Sequence, residues 1–317
     1  MKHHNVKHLR RYLPMIGFIL LFYILYKIDI RKIIELITNM DITYLVFSFI
    51  APFPPILLEN LEWQLILKKQ KIKIKFTESL QIIFLCSLIS LIGIFGVGTL
   101  AEIIYLKKLS GENALKCVSN VFIVNIIDML SLLVVIVVTG LLVVGDLILS
   151  GWILILTILS TFTLILLTNP AVNKKIIGTF YRIYTQLKLE GEKTNLANNF
   201  RVEIPTAKNL VIPFFVSLVG WVILYTEMFL ISTFFFKNLP YMYFISAYSV
   251  ATLVGCLPIT YRGLGTTEMI LIAAFSMFNI SGNRIVAFSL WWFFISMLPG
   301  FIGLIIYTAA QIKNNSM

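Results

Sequence analysis

Long apolar segments are the feature that most limits what this sequence can fold into. Across Ala114–Val144, for example, only Lys116 and Asp128 carry a charge. A helix needs about 20 apolar residues to cross a hydrocarbon core of ~30 Å. The chain is 59% hydrophobic and 13% charged, against roughly 45–50% and about 25% in soluble domains. We therefore predict an all-α, polytopic transmembrane helical bundle.

The charged residues lie mostly in short loops between the apolar segments. The net charge is +11, but lysine and arginine in such loops orient a membrane protein and contact anionic lipid. No basic groove with interleaved aromatic residues occurs, so we expect no nucleic acid partner. The three cysteines lack CxxC spacing and the three histidines lie within the first eight residues. We therefore expect no metal site and no cofactor.

Six segments are predicted to cross the membrane completely. A basic start precedes the first of them, but Lys27–Arg31 offers no small-residue cleavage site, so we expect an uncleaved span. An amphipathic piece, Ile30–Met40, follows it. The prolines of Pro52–Pro55 predict a kink. The predicted spans are Tyr12–Ile28, Ile42–Leu67, Ala114–Val144, Trp152–Thr168, Leu210–Phe236 and Ile285–Ala309.

Two further apolar segments, Ser79–Leu109 and Tyr241–Ile280, are each broken by glycines. The breaks are "GVGT" at Gly96–Thr99 and "TYRGLGTTE" at Thr260–Glu268. The pieces beside the breaks are short for a crossing, so we predict two re-entrant hairpins. With both hairpins returning to their starting side, most lysines and arginines fall on the cytoplasmic side. Both termini are then expected to be cytoplasmic, in a multi-pass protein of the cell membrane.

The two glycine breaks resemble each other and predict an internal repeat. "GVGTLAE" at Gly96–Glu102 resembles "GLGTTE" at Gly263–Glu268, and the spans that precede them run in opposite directions. We therefore predict an inverted repeat within a single membrane domain, 1–317. Its parts are an N-terminal region (1–41), a first half (42–168), a cytoplasmic loop (169–209) and a second half (210–317). Matching broken segments often mark a transporter's binding site.

Ionisable side chains within the apolar segments are the candidate functional residues, because a charge at membrane depth costs on the order of 2.5–3.5 kcal/mol. Glycines at the breaks join them, since glycine lets a ligand approach the backbone closely. The predicted substrate-binding residues are Arg262, Gly263, Gly265, Glu268, Glu102, Gly96, Gly98, Asp128 and Glu227.

Arg262 is the candidate with the most specific predicted role. It precedes a helix expected to start near Thr266, and a cation beside a helix N-terminus suits a lipid phosphate. Alternatively, Arg262 pairs with Glu268 or Glu227, or extends to the membrane surface.

The acidic candidates also have two interpretations each. Glu102 and Glu268 either cap the helices that follow the breaks or contact a cationic headgroup or a coupling proton. Asp128 shares a helix face with Asn125 and Ser131, which predicts either interhelical hydrogen bonds or a polar pathway. Glu227 lies seven residues from Gly220 and is expected to face another helix.

Two long motifs resemble the membrane region of lysylphosphatidylglycerol synthases, a flippase-like family. They are "GVGTLAEIIYLKKLSG…NIID" and "LPITYRGLGTTE…SGN…LPGFIG", and the similarity spans 79–306. The resemblance implies an all-helical fold with re-entrant elements and translocation of aminoacylated or otherwise modified lipids. The family often has arginine where this chain has Tyr105 and Asn125. The residues that match its motifs are Pro258, Gly263, Gly265, Glu268, Glu102 and Asp128.

Three functions follow as hypotheses. The leading one is a flippase-like lipid translocase, which is not an enzyme. Bifunctional relatives carry a soluble lysyltransferase domain, and since this chain ends at Met317 we expect that activity to be absent. The alternatives are a membrane-embedded transferase for a lipid-linked substrate, or a non-catalytic partner of a separate synthase or glycosyltransferase. Expected partners are anionic or aminoacylated membrane lipids, such an enzyme, and a second copy of the chain.

Overall fold

Every regular element that the computed structural model describes is helical, which confirms the predicted all-α class. The described residues are 30–92, 97–143, 205, 207–256 and 263–315. The helices are α1 (Ile30–Thr38), α2 (Ile42–Ile50), α3 (Phe53–Lys69), α4 (Phe76–Ile92), α5 (Val97–Ser110), α6 (Ala114–Val143), α7 (Ala207–Phe235), α8 (Tyr241–Gly255), α9 (Thr266–Phe275), α10 (Gly282–Ile295) and α11 (Leu298–Asn315), with a 3-10 turn at Ser276–Phe278.

Four helical stretches of the described chain are long and apolar enough to cross a membrane. Their positions agree with four of the six predicted spans. The other two, Tyr12–Ile28 and Trp152–Thr168, lie outside the described residues, as does most of the predicted loop 169–209. The four stretches are Ile42–Lys69, Ala114–Val143, Lys208–Phe235 and Gly282–Ile306.

Prolines divide two of the predicted spans. A turn at Ala51–Pro52 separates α2 from α3, while Pro54 and Pro55 lie in the first turn of α3, where the missing N–H breaks no helical hydrogen bond. The last predicted span, Ile285–Ala309, agrees with the apolar stretch Gly282–Ile306, which consists of two helices. A turn at Ser296–Met297 separates α10 from α11, because Pro299 has no N–H to continue the hydrogen-bond ladder.

The two segments with glycine breaks form packed helix pairs. Helix α4 packs against α5, and α8 packs against α9. Helix α5 begins at Val97, so Val97–Thr99 of the predicted break are helical, while Gly96 lies outside the described residues. Gly98 lets the two helices approach, since a Cβ there would lie 3.0 Å from the Ser90 Cβ. Re-entry of either pair into the membrane stays a prediction.

The described helices belong to two compact units. The first unit contains α1, α2, α8, α9 and α10, with the end of α6 and the second half of α7. The second unit contains α3, α4 and α5, with most of α6, the first half of α7 and α11.

The two units have different cores. Aromatic rings fill the first: Phe288 contacts Phe235, Phe244 and Tyr248 through edge-to-face geometry, and such pairs add to the gain from burial. Aliphatic and small side chains dominate the second, where Leu106 is fully buried. Its buried cluster draws on α3 to α6 and includes Leu67, Ile82, Cys86, Ile103, Leu106, Cys117 and Val121.

Two glycines of α11 allow its backbone to touch α4. A Cβ at Gly303 would lie 2.7 Å from the carbonyl carbon of Phe84, and one at Gly300 would lie 3.0 Å from the backbone N of Leu88. Small residues commonly permit such close helix packing in membranes, where the hydrophobic effect contributes little to helix association. The motif "LPGFIG" therefore has a packing role in the second unit.

We predict that Gly303→Ala lowers the free energy of unfolding by about 1–3 kcal/mol, the usual cost of overpacking a tight contact. The added methyl group would meet backbone atoms, which cannot rotate away. Thermal unfolding of the purified protein in detergent measures the effect. Gly220→Ala is the matched control, since its Cβ would meet only the Leu58 Cβ at 3.7 Å. Equal stability of the two variants would contradict the packing role.

Candidate functional site

A polar sequence, "ENLEWQ" at Glu59–Gln64, interrupts the apolar helix α3. Three of its side chains are buried in the second unit: Asn60 and Glu62 are fully buried, and Trp63 is 3% exposed. Glutamate is almost never fully buried unless it is paired. The burial of Glu62 therefore marks this part of α3 as the place to look for a site.

Four acidic side chains from three helices come together here, and we call them the carboxyl cluster: Glu59 and Glu62 of α3, Glu102 of α5 and Asp128 of α6. The charge of Asp128 acts on each of the other three, and Glu59 also interacts with Glu62 and Glu102. Glu62 is fully buried, whereas the other three are half-buried. The cluster thus has one enclosed carboxyl and three more accessible ones.

Helix α7 holds Asp128 in place. The Ser217 hydroxyl donates to Asp128 Oδ1 at 2.7 Å, and the Trp221 indole N–H donates to the Asp128 carbonyl at 3.2 Å. Ser131 adds a bond to the Phe214 carbonyl at 3.2 Å. Of the two interpretations of this polar stripe, the structure shows the interhelical hydrogen bonds. Asn125 instead donates to Val121 within its own helix.

Glu62 lacks this kind of support. Neither of its carboxylate oxygens has a hydrogen bond of ordinary geometry within the described part of the chain, although Asp128 and Ser217 lie beside it. No lysine or arginine among the described residues forms an ion pair with the cluster. A buried carboxylate without a partner is strongly unfavourable. The cluster therefore suits a ligand that brings positive charge.

The described residues do not suggest a metal ion as that ligand. Within them, no group of three or more histidine, cysteine, aspartate or glutamate side chains has a geometry that could hold a metal. The carboxyl groups come from α3, α5 and α6 and do not form such a group. A proton or an organic cation does not require one.

Neutral hydrogen bonds fix α3 against its neighbours and so position the cluster. The Trp63 indole N–H donates to Asn120 Oδ1 at 2.7 Å, and the Asn120 amide donates to Gln70 Oε1 at 2.7 Å. On the α4 side, the Ser79 hydroxyl donates to Asn60 Oδ1 at 2.6 Å. Such satisfied networks hold buried helices in one arrangement.

The second glycine motif, in the first unit, is organised around Glu268. Its Oε2 accepts the backbone N–H of Gly265 at 2.6 Å, and its Oε1 accepts the Ser289 hydroxyl at 2.5 Å. Glu268 thus caps the start of α9 and ties it to α10, which is the capping interpretation offered by the sequence. Gly263 and Gly265 have φ of 77° and 87°, a region that favours glycine.

The remaining predicted residues are placed as follows. Arg262 and Gly96 lie outside the described residues, so phosphate binding by Arg262 stays a prediction. Gly98 packs α5 against α4. Glu227, in the first unit, is 9% exposed, and its Oε2 has no hydrogen bond to the described residues. Among the predicted acidic residues, the structure brings Glu102 and Asp128 together in the second unit.

Sequence reasoning missed Glu59 and Glu62. Both lie within the predicted span Ile42–Leu67, so the rule that selected the other acidic candidates applied to them as well. Their spacing of three residues also places them on one helix face. Two carboxyls three residues apart within a predicted span are therefore the sequence signal for this part of the cluster.

We predict that Glu268→Ala lowers the free energy of unfolding by about 1–3 kcal/mol, because the Gly265 N–H and the Ser289 hydroxyl would lose their acceptor. Glu268→Gln keeps one acceptor oxygen and should lie between Glu268→Ala and the wild type. Thermal unfolding checks this order. Glu112→Gln, at an ion pair with Lys116 that is only partly buried, is the control. A Glu268→Ala protein as stable as the control would contradict the capping role.

Comparison with known proteins supplies the family. Searches among curated proteins give no match. The sequence model of the family described as "Lysylphosphatidylglycerol synthase TM region" matches residues 14–303, and this confirms the resemblance carried by the two glycine motifs. Together with the apolar helices, the match identifies an integral membrane protein of lipid metabolism or transport. The chain belongs to the family of the lysylphosphatidylglycerol synthase transmembrane region.

Proposed function

We propose that this protein is a flippase-like lipid translocase that moves a phospholipid with an aminoacylated, positively charged headgroup, or a related lipid-linked headgroup, across the cell membrane. The observation that carries this proposal is the carboxyl cluster: four acidic side chains on apolar helices, with Glu62 fully buried and unpartnered by described residues. An ammonium group is the complementary partner for such a site.

The surface of the helices suits the rest of a lipid molecule. Large apolar side chains are exposed along the candidate spans, with Leu141 and Ile305 both 66% exposed and Ile212 63% exposed. A soluble monomer rarely exposes so much apolar surface, but acyl chains cover it in a membrane. A lipid could keep its tails in this apolar surrounding while its headgroup enters the carboxyl cluster.

The sequence adds a second candidate contact and a predicted topology. Arg262 of the second glycine motif would bind a lipid phosphate. The two helix pairs, α4–α5 and α8–α9, would be the two hairpins of the predicted inverted repeat, and their movement would carry the lipid. Both termini would be cytoplasmic. We propose no catalytic step for this chain.

The test follows a fluorescent lysylphosphatidylglycerol in reconstituted phosphatidylglycerol vesicles, with headgroup accessibility to an added quencher as the readout. We expect the wild type to speed translocation over protein-free vesicles. Glu62→Gln and Asp128→Asn should each slow it at least about tenfold, equivalent to ~1.4 kcal/mol of lost stabilisation. Arg262→Ala should slow it as well.

Glu112→Gln is the matched control, because it removes a carboxyl of the same unit that already has a lysine partner. All variants are compared after their folding is verified by thermal unfolding. Wild-type vesicles no faster than empty ones would refute translocation. Conversion of a radiolabelled lipid donor into product by the purified protein would favour the transferase alternative, in which two carboxyls act as acid and base.

A further inference from the structure

Two members of the carboxyl cluster, Glu62 of α3 and Asp128 of α6, interact as a pair. They belong to the same unit, and each acts on the other directly. The Ser217 hydroxyl donates a hydrogen bond to Asp128 Oδ1 at 2.7 Å, and neither carboxylate oxygen of Glu62 has such a bond from the described residues. Two ionised carboxylates side by side and away from water repel each other. A single proton between them removes the repulsion and turns one carboxyl into a hydrogen-bond donor.

The groups that surround this pair add further negative charge to the site. Glu59 of α3 and Glu102 of α5 interact with the pair. The Cys86 thiol of α4 interacts electrostatically with Glu59 and Glu102. Helix α7 contributes only the neutral side chains Ser217 and Trp221. No described lysine or arginine pairs with the cluster, and a mobile proton or cation would compensate the burial of its carboxyl groups.

A proton suits the pair better than a metal ion does. The described residues offer no group of carboxyl, thiol or imidazole ligands that could hold a metal. A metal ion needs several oxygen ligands around one point, whereas a proton needs only one donor and one acceptor. The geometry of two adjacent carboxyls meets that smaller requirement.

We propose that Glu62 and Asp128 share one exchangeable proton when the site holds no lipid, and that entry of a cationic headgroup displaces it. This inference rests on the proposed translocation. In the exchange, the O–H bond of the protonated carboxyl breaks and its proton passes to water. The freed carboxylate then pairs with the ammonium group of the lipid. Each headgroup bound releases one proton, so the protein exchanges lipid for protons and a proton gradient drives transport.

The first test needs no lipid. Infrared difference spectra of the purified protein between pH 5 and pH 9 should show the carbonyl stretch of a protonated, buried carboxyl group. Glu62→Gln and Asp128→Asn should each remove that band, whereas Glu112→Gln should retain it. Absence of such a band in the wild type, or its persistence in both cluster variants, would overturn the proposal. Thermal stabilisation of the wild type by Na⁺ over choline that Glu62→Gln abolishes would also overturn it, since a metal ion would then occupy the site.

The second test separates proton exchange from translocation itself. The vesicle assay is repeated with a pH difference across the membrane of either sign. Exchange of one proton predicts that headgroup affinity changes about tenfold per pH unit where the pair titrates, so the two signs should give opposite changes in rate. Equal rates under both would overturn the exchange and leave the translocase standing. No translocation under any condition would refute the translocase, and the infrared band would still decide whether the pair holds a proton.

Discussion

A carboxyl group taken out of water must receive hydrogen bonds, a counterion or a proton, and this constraint organises both units of the molecule. Asp128 accepts a hydrogen bond from the Ser217 hydroxyl, and Glu268 accepts hydrogen bonds from a backbone N–H and the Ser289 hydroxyl. Glu62 receives none of these from the described residues. Glu62 and Glu268 are both buried, yet they differ in what they can do. A satisfied carboxyl holds helices together, while an unsatisfied one needs a partner from outside.

This difference between satisfied and unsatisfied carboxyl groups separates the second glycine motif from the polar sequence on α3. The glycine motif around Glu268 is the more conspicuous pattern in the sequence, yet its described residues are explained by local structure. Gly263 and Gly265 adopt positive φ, and Glu268 closes the start of α9. The less conspicuous polar sequence on α3 supplies the residues that local structure leaves unexplained.

The neutral network around α3 explains how such a site persists in an apolar helix unit. Asn120 forms hydrogen bonds with both Trp63 and Gln70, and Asn60 forms one with Ser79. Each of these bonds joins different parts of the second unit, so α3 has little freedom to rotate its acidic face away from the core. A rigid surround keeps the carboxyls close together despite their repulsion, a strained arrangement that is typical of functional sites.

The sequence by itself determined the fold class, four of the candidate spans, the amphipathic piece before them and the family, because apolar length and glycine or proline breaks act locally along a chain. It also identified Glu102 and Asp128, since a charge in an apolar segment is visible without coordinates. It did not separate capping from ligand contact at Glu268, and the break it predicted included Val97–Thr99, which belong to α5.

Only the tertiary structure decided which acidic residues meet and which are already satisfied. Hydrogen bonds such as those from Ser217 to Asp128 and from Ser289 to Glu268 join residues 89 and 21 positions apart. Local pattern carries no information on such pairs, because the packing of helices brings them together. The carboxyl cluster is therefore a product of how α3, α5, α6 and α7 pack, even though each of its members is visible in the sequence.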